Sequence, residues 1–306
     1  VYPSLSNLHR YLLAIQNSPE KGKAALRAVQ MRFDQQSTDP IIELQQLAKT
    51  VPEPLGRWLE QIADNAWKAV LKSAVIALEV EWNNKVVKPY KATIEGRYPF
   101  APSASQEVAI SDFDRFFAPD GIIDGFYNKY LSAFIDNDIM DDSEEGKSFL
   151  REDVIEQFEL AQRIRDTFFS SENGLGAQYI VEPVSLAANK RRSVLNLDGQ
   201  IIDFTHGNKK RVNVVWPNSM NVAVESKLTL VPNKVNTSPR SISFRGPWAQ
   251  IKLYNSGKII STKDGAFDIR YDVDGGYATY RVYVDSSDNP FSSDMFRRFK
   301  LQETLY

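Results

Sequence analysis

Cysteine is absent from this 306-residue chain. Disulfides, thiolate metal sites and cysteine nucleophiles are excluded with it. Histidine is almost as scarce, with only His9 and His206. A serine-hydrolase triad would need one of them beside an activated serine and a carboxylate, and no G-x-S-x-G elbow accompanies either. No run of 18 apolar residues occurs, so no segment reads as a membrane-spanning helix. A phosphate-cradling loop is missing as well, since Gly22-Lys23 lacks the upstream glycine of a P-loop. Charge of one sign is not in excess: 37 basic against 39 acidic residues give a net charge of −2. That argues against a dedicated nucleic-acid binder, which needs a strong basic field. The chain opens on Val1 without a signal-peptide pattern, and the expectation is a fragment cut from a longer protein.

What is present reads as a globular protein, with 42% hydrophobic and 25% charged residues over a length sufficient for two domains. Residues 1–172 carry the helical period nearly throughout. Leu5, Leu8, Leu12 and Ile15 form a first apolar stripe, and Ala24, Ala25, Ala28 and Val29 a second. Asp39-Pro40 opens a short helix, with Asp39 as cap and Pro40 in the first turn. Between Pro54 and Pro89, apolar residues from Leu55 to Trp82 recur at three- and four-residue steps. One long helix, or a pair meeting at a bend, would span about 50 Å here at 1.5 Å per residue. Further helices are expected at Ile122–Ile135 and Asp153–Phe169.

Between these lies an aromatic elbow, Arg97-Tyr98-Pro99-Phe100 followed by Ser111-Asp112-Phe113-Asp114-Arg115-Phe116-Phe117. Pro99 and Pro102 hold the chain extended. Ser103 or Ser105 is expected to cap the next helix, and Pro119 and Gly121 to stop it. Phe113, Phe116 and Phe117 share one helical face.

The period switches to two from Tyr179 onward. Phe267, Ile269, Tyr271 and Val273 alternate with polar residues, as do Ala278, Tyr280, Val282 and Val284. Asp274-Gly275-Gly276 joins these runs as a hairpin, and Asp198-Gly199 joins another pair. Further strands are expected at Gln178–Leu186, Arg211–Trp216, Val222–Leu230, Ser241–Phe244, Ala249–Tyr254 and Lys258–Thr262. Short strands with frequent turns fit a β-sandwich. The fold class is therefore α+β in two domains: an all-helical domain (1–172), a β-sandwich (173–290) and a terminal helix or tail (291–306).

Candidate chemistry is thin. The acidic run Asp136–Glu145 invites a calcium loop, but the sixth and twelfth places hold Asp141 and Lys147 where an EF-hand needs glycine and glutamate. It reads as a solvated loop. Lys190-Arg191-Arg192 and Lys209-Lys210-Arg211 sit at strand ends, where charge blunts sheet edges. His206 reads as a loop residue fixing a turn beside Gly207. Trp248, after Gly246-Pro247, reads as a core residue closing the sandwich. A carboxylate enzyme is the least excluded catalytic option, and nothing in the sequence marks its residues. No catalytic residue, metal or cofactor is expected.

The elbow, together with Phe244-Arg245-Gly246-Pro247-Trp248-Ala249 and with His206-Gly207 before Trp216-Pro217, resembles the IcmF/TssM family of type VI secretion systems. The three blocks fall in that family's order and cover most of residues 1–290. One departure is Asn208, where many relatives have proline after His-Gly. The resemblance implies a periplasmic scaffold linking the inner membrane to the outer one. Its implied partners are the outer-membrane lipoprotein TssJ, the inner-membrane subunit TssL and further copies of TssM, with no nucleic acid and no membrane contact outside segments this chain lacks. It implies that the lipoprotein docks on the β part. Loops on a rigid scaffold commonly carry recognition, so the expected docking residues are Asn208, Lys209 and Lys210 in one loop and Asn233, Lys234, Val235 and Asn236 in another. Two other classes remain open: a carboxylate-dependent cell-wall hydrolase, and a self-associating spacer.

Overall fold

The structure is a computed structural model that describes residues 1–33, 39–135, 150–169, 174–207, 209–218, 225–263, 265–284, 291 and 293–306. The acidic run Asp136–Glu145 and Asn208 lie outside the described residues.

Helices come first: α1 (Tyr2–Gln16), α2 (Lys21–Phe33), α3 (Pro40–Ala48) and α4 (Leu55–Trp82). Asp39 caps α3 as expected, its carboxylate accepting from the Ile41 amide at 2.8 Å with Pro40 in the first turn. The long helix does not stop at Pro89. It passes through a π-helical turn (Asn83–Val87) into α5 (Lys88–Thr93). Proline has no N–H and its ring crowds the carbonyl four residues back. The wider turn shifts the local bonding by one residue, and the Lys88 amide donates to the Asn83 carbonyl. Next come α6 (Ile110–Phe117), α7 (Ile122–Phe126), a second π turn (Tyr127–Leu131), α8 (Ser132–Ile135) and α9 (Glu152–Phe168). The expected serine cap is corrected here: α6 starts at Ile110, and its N-cap is Ala109 with no side-chain bond. Ser103 and Ser105 fall in the turns before it, in the stretch closed by an isolated bridge between Tyr98 and Glu107. The Tyr98 amide donates to the Gln106 carbonyl, and the Val108 amide donates to Tyr98, each at 2.9 Å.

Among the described residues, nine strands form two antiparallel sheets, giving the sandwich expected from the period-two texture. They are β1 (Ala177–Leu186), β2 (Lys190–Leu197), β3 (Gln200–Phe204), β4 (Val212–Trp216), β5 (Glu225–Pro232), β6 (Arg240–Arg245), β7 (Lys258–Lys263), β8 (Ala266–Val273) and β9 (Gly276–Val284). One sheet has the order β4-β1-β9-β8-β7, the other β3-β2-β5-β6. Both expected hairpins are present. Asp198-Gly199 and Asp274-Gly275 have positive φ at both positions, the conformation that a two-residue turn needs to match strand twist. One expected strand is corrected: Ala249–Tyr254 belongs to helix α10 (Ala249–Ser256). Its buried residues are Ala249, Gln250, Ile251, Leu253 and Tyr254, and the pairs 249/253, 250/254 and 251/254 stand three or four apart, which is helical spacing and not the alternation of a strand. Helix α11 (Ser293–Arg298) follows the sandwich.

By packing, the chain divides into two compact units. The first is Val1–Pro89, Gly125–Ile155 and Gln302–Tyr306; the second is Tyr90–Asp124 and Glu156–Leu301. The backbone therefore passes between them four times. In the first unit α4 is the spine, with Leu59, Ala63, Val70, Ala74 and Leu78 buried and α2 and α3 packed along it. Contact is close: a Cβ on Gly22 of α2 would meet the Ala77 Cβ at 2.8 Å. The last residues belong to this unit, and the Trp82 indole donates to the Gln302 carbonyl at 3.0 Å. No helix among the described residues is long and apolar enough to cross a membrane.

Candidate partner-binding surface

Aromatic residues from distant parts of the second unit meet in one core. Phe113 and Trp216 lie 5.2 and 4.8 Å from Trp248, centroid to centroid. Phe100 stacks on Phe117 at 5.6 Å, and Phe296 of α11 closes on Trp248 at 5.8 Å. The Trp216 indole donates to the Pro247 carbonyl at 3.0 Å. Trp248 is fully buried, as its Gly-Pro setting suggests. The elbow, Trp216-Pro217 and the Gly246-Pro247-Trp248 block are thus parts of one packing centre, with Gly246 at φ 100. A Cβ there would meet the Glu107 carboxylate at 2.5 Å, and Glu107 pairs with Lys252. These residues are structural, and they hold the sandwich rather than present it.

Between the sheets sits a polar chain. The Tyr179 hydroxyl donates to the Gln250 side-chain carbonyl at 2.5 Å. The Gln250 amide donates to Asp198 at 2.7 Å, and Ser226 donates to the other Asp198 oxygen at 3.1 Å. Burial pushes the Asp198 carboxyl above its ordinary value, while the bonds from Gln250 and Ser226 pull the other way. Every member of this chain is buried, so it serves the core.

The presented surface is one end of the sandwich. There the β1–β2 turn (Ala187–Asn189), the β3–β4 connection, the β5–β6 connection and the β8–β9 hairpin lie together. Three consecutive carbonyls anchor them. The Asn233 side-chain amide donates to Ala188 O at 2.6 Å, and the Asn233 backbone amide donates to Asn189 O at 3.1 Å. His206 Nε2 meets Lys190 O at 2.6 Å, and a carbonyl can only accept, so this nitrogen carries the proton. The Asn189 side chain reaches the hairpin, donating to Gly275 O at 3.0 Å. Lys190 is itself buried, with its Nζ 2.9 Å from the Asp274 carbonyl. Gly276 lets it pass, because a Cβ there would meet the lysine stem at 2.4 Å.

Of the expected docking residues, the described ones fall on this frame, and Asn208 lies outside the described residues. Lys209 and Lys210 are exposed just after His206-Gly207, and Lys234, Val235 and Asn236 are exposed just after the anchored Asn233. Val235 is 87% exposed. Asn233 differs from its neighbours in role, since it fastens the loop. The two basic clusters also separate in kind. Arg192 pairs with Asp203 across the β2–β3 ladder, and Arg211 reaches Glu182 at 3.0 Å. Tyr283 and Arg211 together hold the Glu182 carboxyl below its ordinary value, the tyrosine bond being the larger cause. Sequence reasoning missed the shared anchor at residues 188–190, because backbone carbonyls leave no mark in a sequence. Among the described residues no group of three or more acidic or histidine side chains could hold a metal ion.

Two models of one protein family match this chain. The type VI secretion protein IcmF helical domain matches residues 73–173, and the IcmF C2-like domain matches residues 179–286. The chain belongs to the IcmF family. Type VI secretion system component TssM1 of Pseudomonas aeruginosa is 27% identical over 266 residues, covering 84% of this chain and 24% of TssM1. The chain thus spans about a quarter of that relative's length. Among solved structures, a type VI secretion system membrane core complex chain aligns with TM-score 0.75 over 93% of this chain and 61% of its own, at 18% identity. The TssM C-terminal domain from EAEC aligns with TM-score 0.63 over 76% of this chain and 98% of its own, also at 18% identity. The family's helical and C2-like parts meet between residues 173 and 179, close to where strands replace helices.

Proposed function

We propose that this chain is a non-catalytic structural segment of a type VI secretion membrane complex, on the periplasmic side, and that its β domain (173–290) docks an outer-membrane lipoprotein of the TssJ kind. Membership of the IcmF family supports the assembly reading. The observation that carries the docking site is the shared anchor. Two loops from different strand connections are fastened to adjacent carbonyls of one turn, through His206 and Asn233. Side chains beyond those fastenings stand in solvent on a fixed base, which lowers the ordering cost of binding. Lys209, Lys210 and Lys234 suit an acidic partner face, and Val235 offers an apolar tip between them. TssL and further copies of TssM complete the set of proposed partners.

Titration of the purified protein with soluble, unacylated lipoprotein tests this. Binding in the micromolar range or tighter is expected, weakening as salt rises. Absence of binding at tens of micromolar overturns the docking reading.

A further inference from the structure

Helices α1 and α2 leave a crevice between them. On α1 it is lined by Tyr11, Ala14 and Ile15, and on α2 by Ala24, Arg27, Ala28 and Met31. Steps of three, four and seven put each set on one helical face. The other face of α2 is used elsewhere, with Ala25, Leu26 and Val29 buried and the helix packed along α4. Alanines stand where larger side chains would close the gap. A cavity of about 280 Å³ remains, and Arg32 and Asp39 complete its wall.

The wall is mainly apolar, and the charge around it has one sign. Residues 1–33 hold Arg10, Lys21, Lys23, Arg27 and Arg32 against a single acid, Glu20, in a chain whose net charge is −2. Glu20 is already paired with Lys23 at 2.6 Å. Arg27 is exposed. Among the described residues its guanidinium makes no ion pair, and Glu20 acts on it only at longer range. Arg32 is fixed in place. Its guanidinium lies 3.9 Å from the centre of the Trp67 ring, Nε stands 3.5 Å from Asp39, and Nη1 is sealed without a hydrogen-bond partner. One carboxylate at that distance, itself shared with the Ile41 amide, leaves the Arg32 charge incompletely offset. Burial first, then Asp39, push the Tyr11 hydroxyl up to about 12, with Arg32 opposing. That hydroxyl keeps its proton and can donate.

We propose that the α1–α2 crevice binds a single-chain anionic amphipath, a fatty-acid carboxylate or an alkyl phosphate. Its chain lies among Ala14, Ile15, Ala24, Ala28 and Met31, and its head meets Arg27, with Tyr11 as a second donor. This site belongs to the helical unit and does not rest on the docking of a lipoprotein by the β domain.

Size and charge select this class over its neighbours. The cavity lies just below the range of about 300–1,000 Å³ usual for small-molecule sites, so it takes one slender chain. A cationic amphipath meets the field of Arg27 and Arg32 with the wrong sign. A bare inorganic anion gains nothing from the alanines and Met31, and an uncharged chain leaves Arg27 unused. The same chemistry occurs in a free acid in solution and in an anionic membrane lipid. The narrow cavity favours the free, single-chain form.

Calorimetric titration of the whole chain with decanoate and with decyl phosphate, each kept below the concentration at which it aggregates, tests this. One molecule of either is expected to bind per chain. Octanoate, two methylenes shorter, should bind roughly tenfold more weakly, decyltrimethylammonium at least tenfold more weakly, and acetate not at all. Ala28→Leu fills the cavity and should abolish decanoate binding. Arg27→Glu, on an exposed and unpaired side chain, should leave the melting temperature unchanged, weaken decanoate at least tenfold and strengthen decyltrimethylammonium. Decanoate binding that survives Ala28→Leu overturns the proposal, as does an affinity that Arg27→Glu leaves unchanged. Equal binding of the anionic and cationic amphipaths overturns it too. Co-sedimentation with phosphatidylglycerol vesicles separates the two sources: capture by vesicles without binding of monomeric decanoate assigns the basic helices to a membrane surface and overturns the cavity site.

Discussion

The indole N–H of Trp248 donates to the carbonyl of Val108 at 2.7 Å, across 140 residues of chain. Val108 lies within the aromatic elbow and Trp248 is the N-cap of helix α10, so one bond joins the elbow to the Gly246-Pro247-Trp248 block. Replacing Trp248 with phenylalanine keeps most of the ring packing but leaves a buried carbonyl without its donor. A loss of about 1–3 kcal/mol is expected. Trp248→Ala also empties the space between Phe113, Trp216 and Phe296, and should cost about 3–5 kcal/mol. Denaturant unfolding of both variants measures the difference, and an unchanged stability of Trp248→Phe would mean the bond contributes little.

Gly246 and Gly275 separate two reasons for glycine. Both have positive φ, 100 and 68. Nothing lies within 4 Å of a Cβ on Gly275, whereas the Glu107 carboxylate would meet one on Gly246. Gly275→Ala should therefore lose about 1 kcal/mol from backbone strain alone. Gly246→Ala should lose at least about twice that, because Glu107 must also move away from Lys252. Thermal melting of the pair reads this order directly.

Asp198 sets a pH dependence. Its carboxyl is raised above the ordinary 3.8 by burial, so the folded chain binds this proton more tightly than the unfolded one. Its contribution favours folding at acid pH and is lost as pH rises from the unfolded value through the folded one. Asp198→Asn removes that titration and suits the positive φ of the turn. The stability of the native chain relative to this variant should therefore fall as pH rises above the ordinary carboxyl value of 3.8. A difference that stays constant, or rises, contradicts the assignment.

Charge reversal at the docking loops should act on binding and leave folding alone. Lys209→Glu with Lys210→Glu is expected to weaken lipoprotein binding at least tenfold, about 1.4 kcal/mol, with unchanged melting temperature. Val235→Asp should do the same. Asn233→Ala breaks only the bond to Ala188 O, and a smaller, severalfold loss is expected from a looser loop. Calorimetry on the four proteins compares them, and equal affinities would remove both loops from the interface.

Much of the fold was legible in the sequence because its signals are local. Asp39-Pro40, the two Asp-Gly turns and the period of α4 each depend on residues a few places apart. Where they were misleading, a contact from far along the chain decided the outcome. The segment from Ala249 to Tyr254 has enough apolar residues for a strand, but Gln250 is drawn inward by Tyr179 and Asp198, and Trp248 fixes the start of a helix. Ser103 and Ser105 look like caps, yet the bridge from Tyr98 to Gln106 and Val108 uses that stretch as a turn. Helix α4 illustrates the same limit: helical periodicity was plain, but which side of Leu55–Trp82 faces solvent was not. The loops proposed to dock a partner stand out in the sequence only by composition, while their common fastening at Ala188, Asn189 and Lys190 emerged only in three dimensions.

The interleaving of the two compact units has a mechanical meaning. Four separate passages of backbone run from one to the other, at Pro89–Tyr90, Asp124–Gly125, Ile155–Glu156 and Leu301–Gln302. Tension applied to the sandwich while the helical unit is held would be divided among four covalent threads, where beads on a string would have one. A protease cut at any single passage leaves three intact.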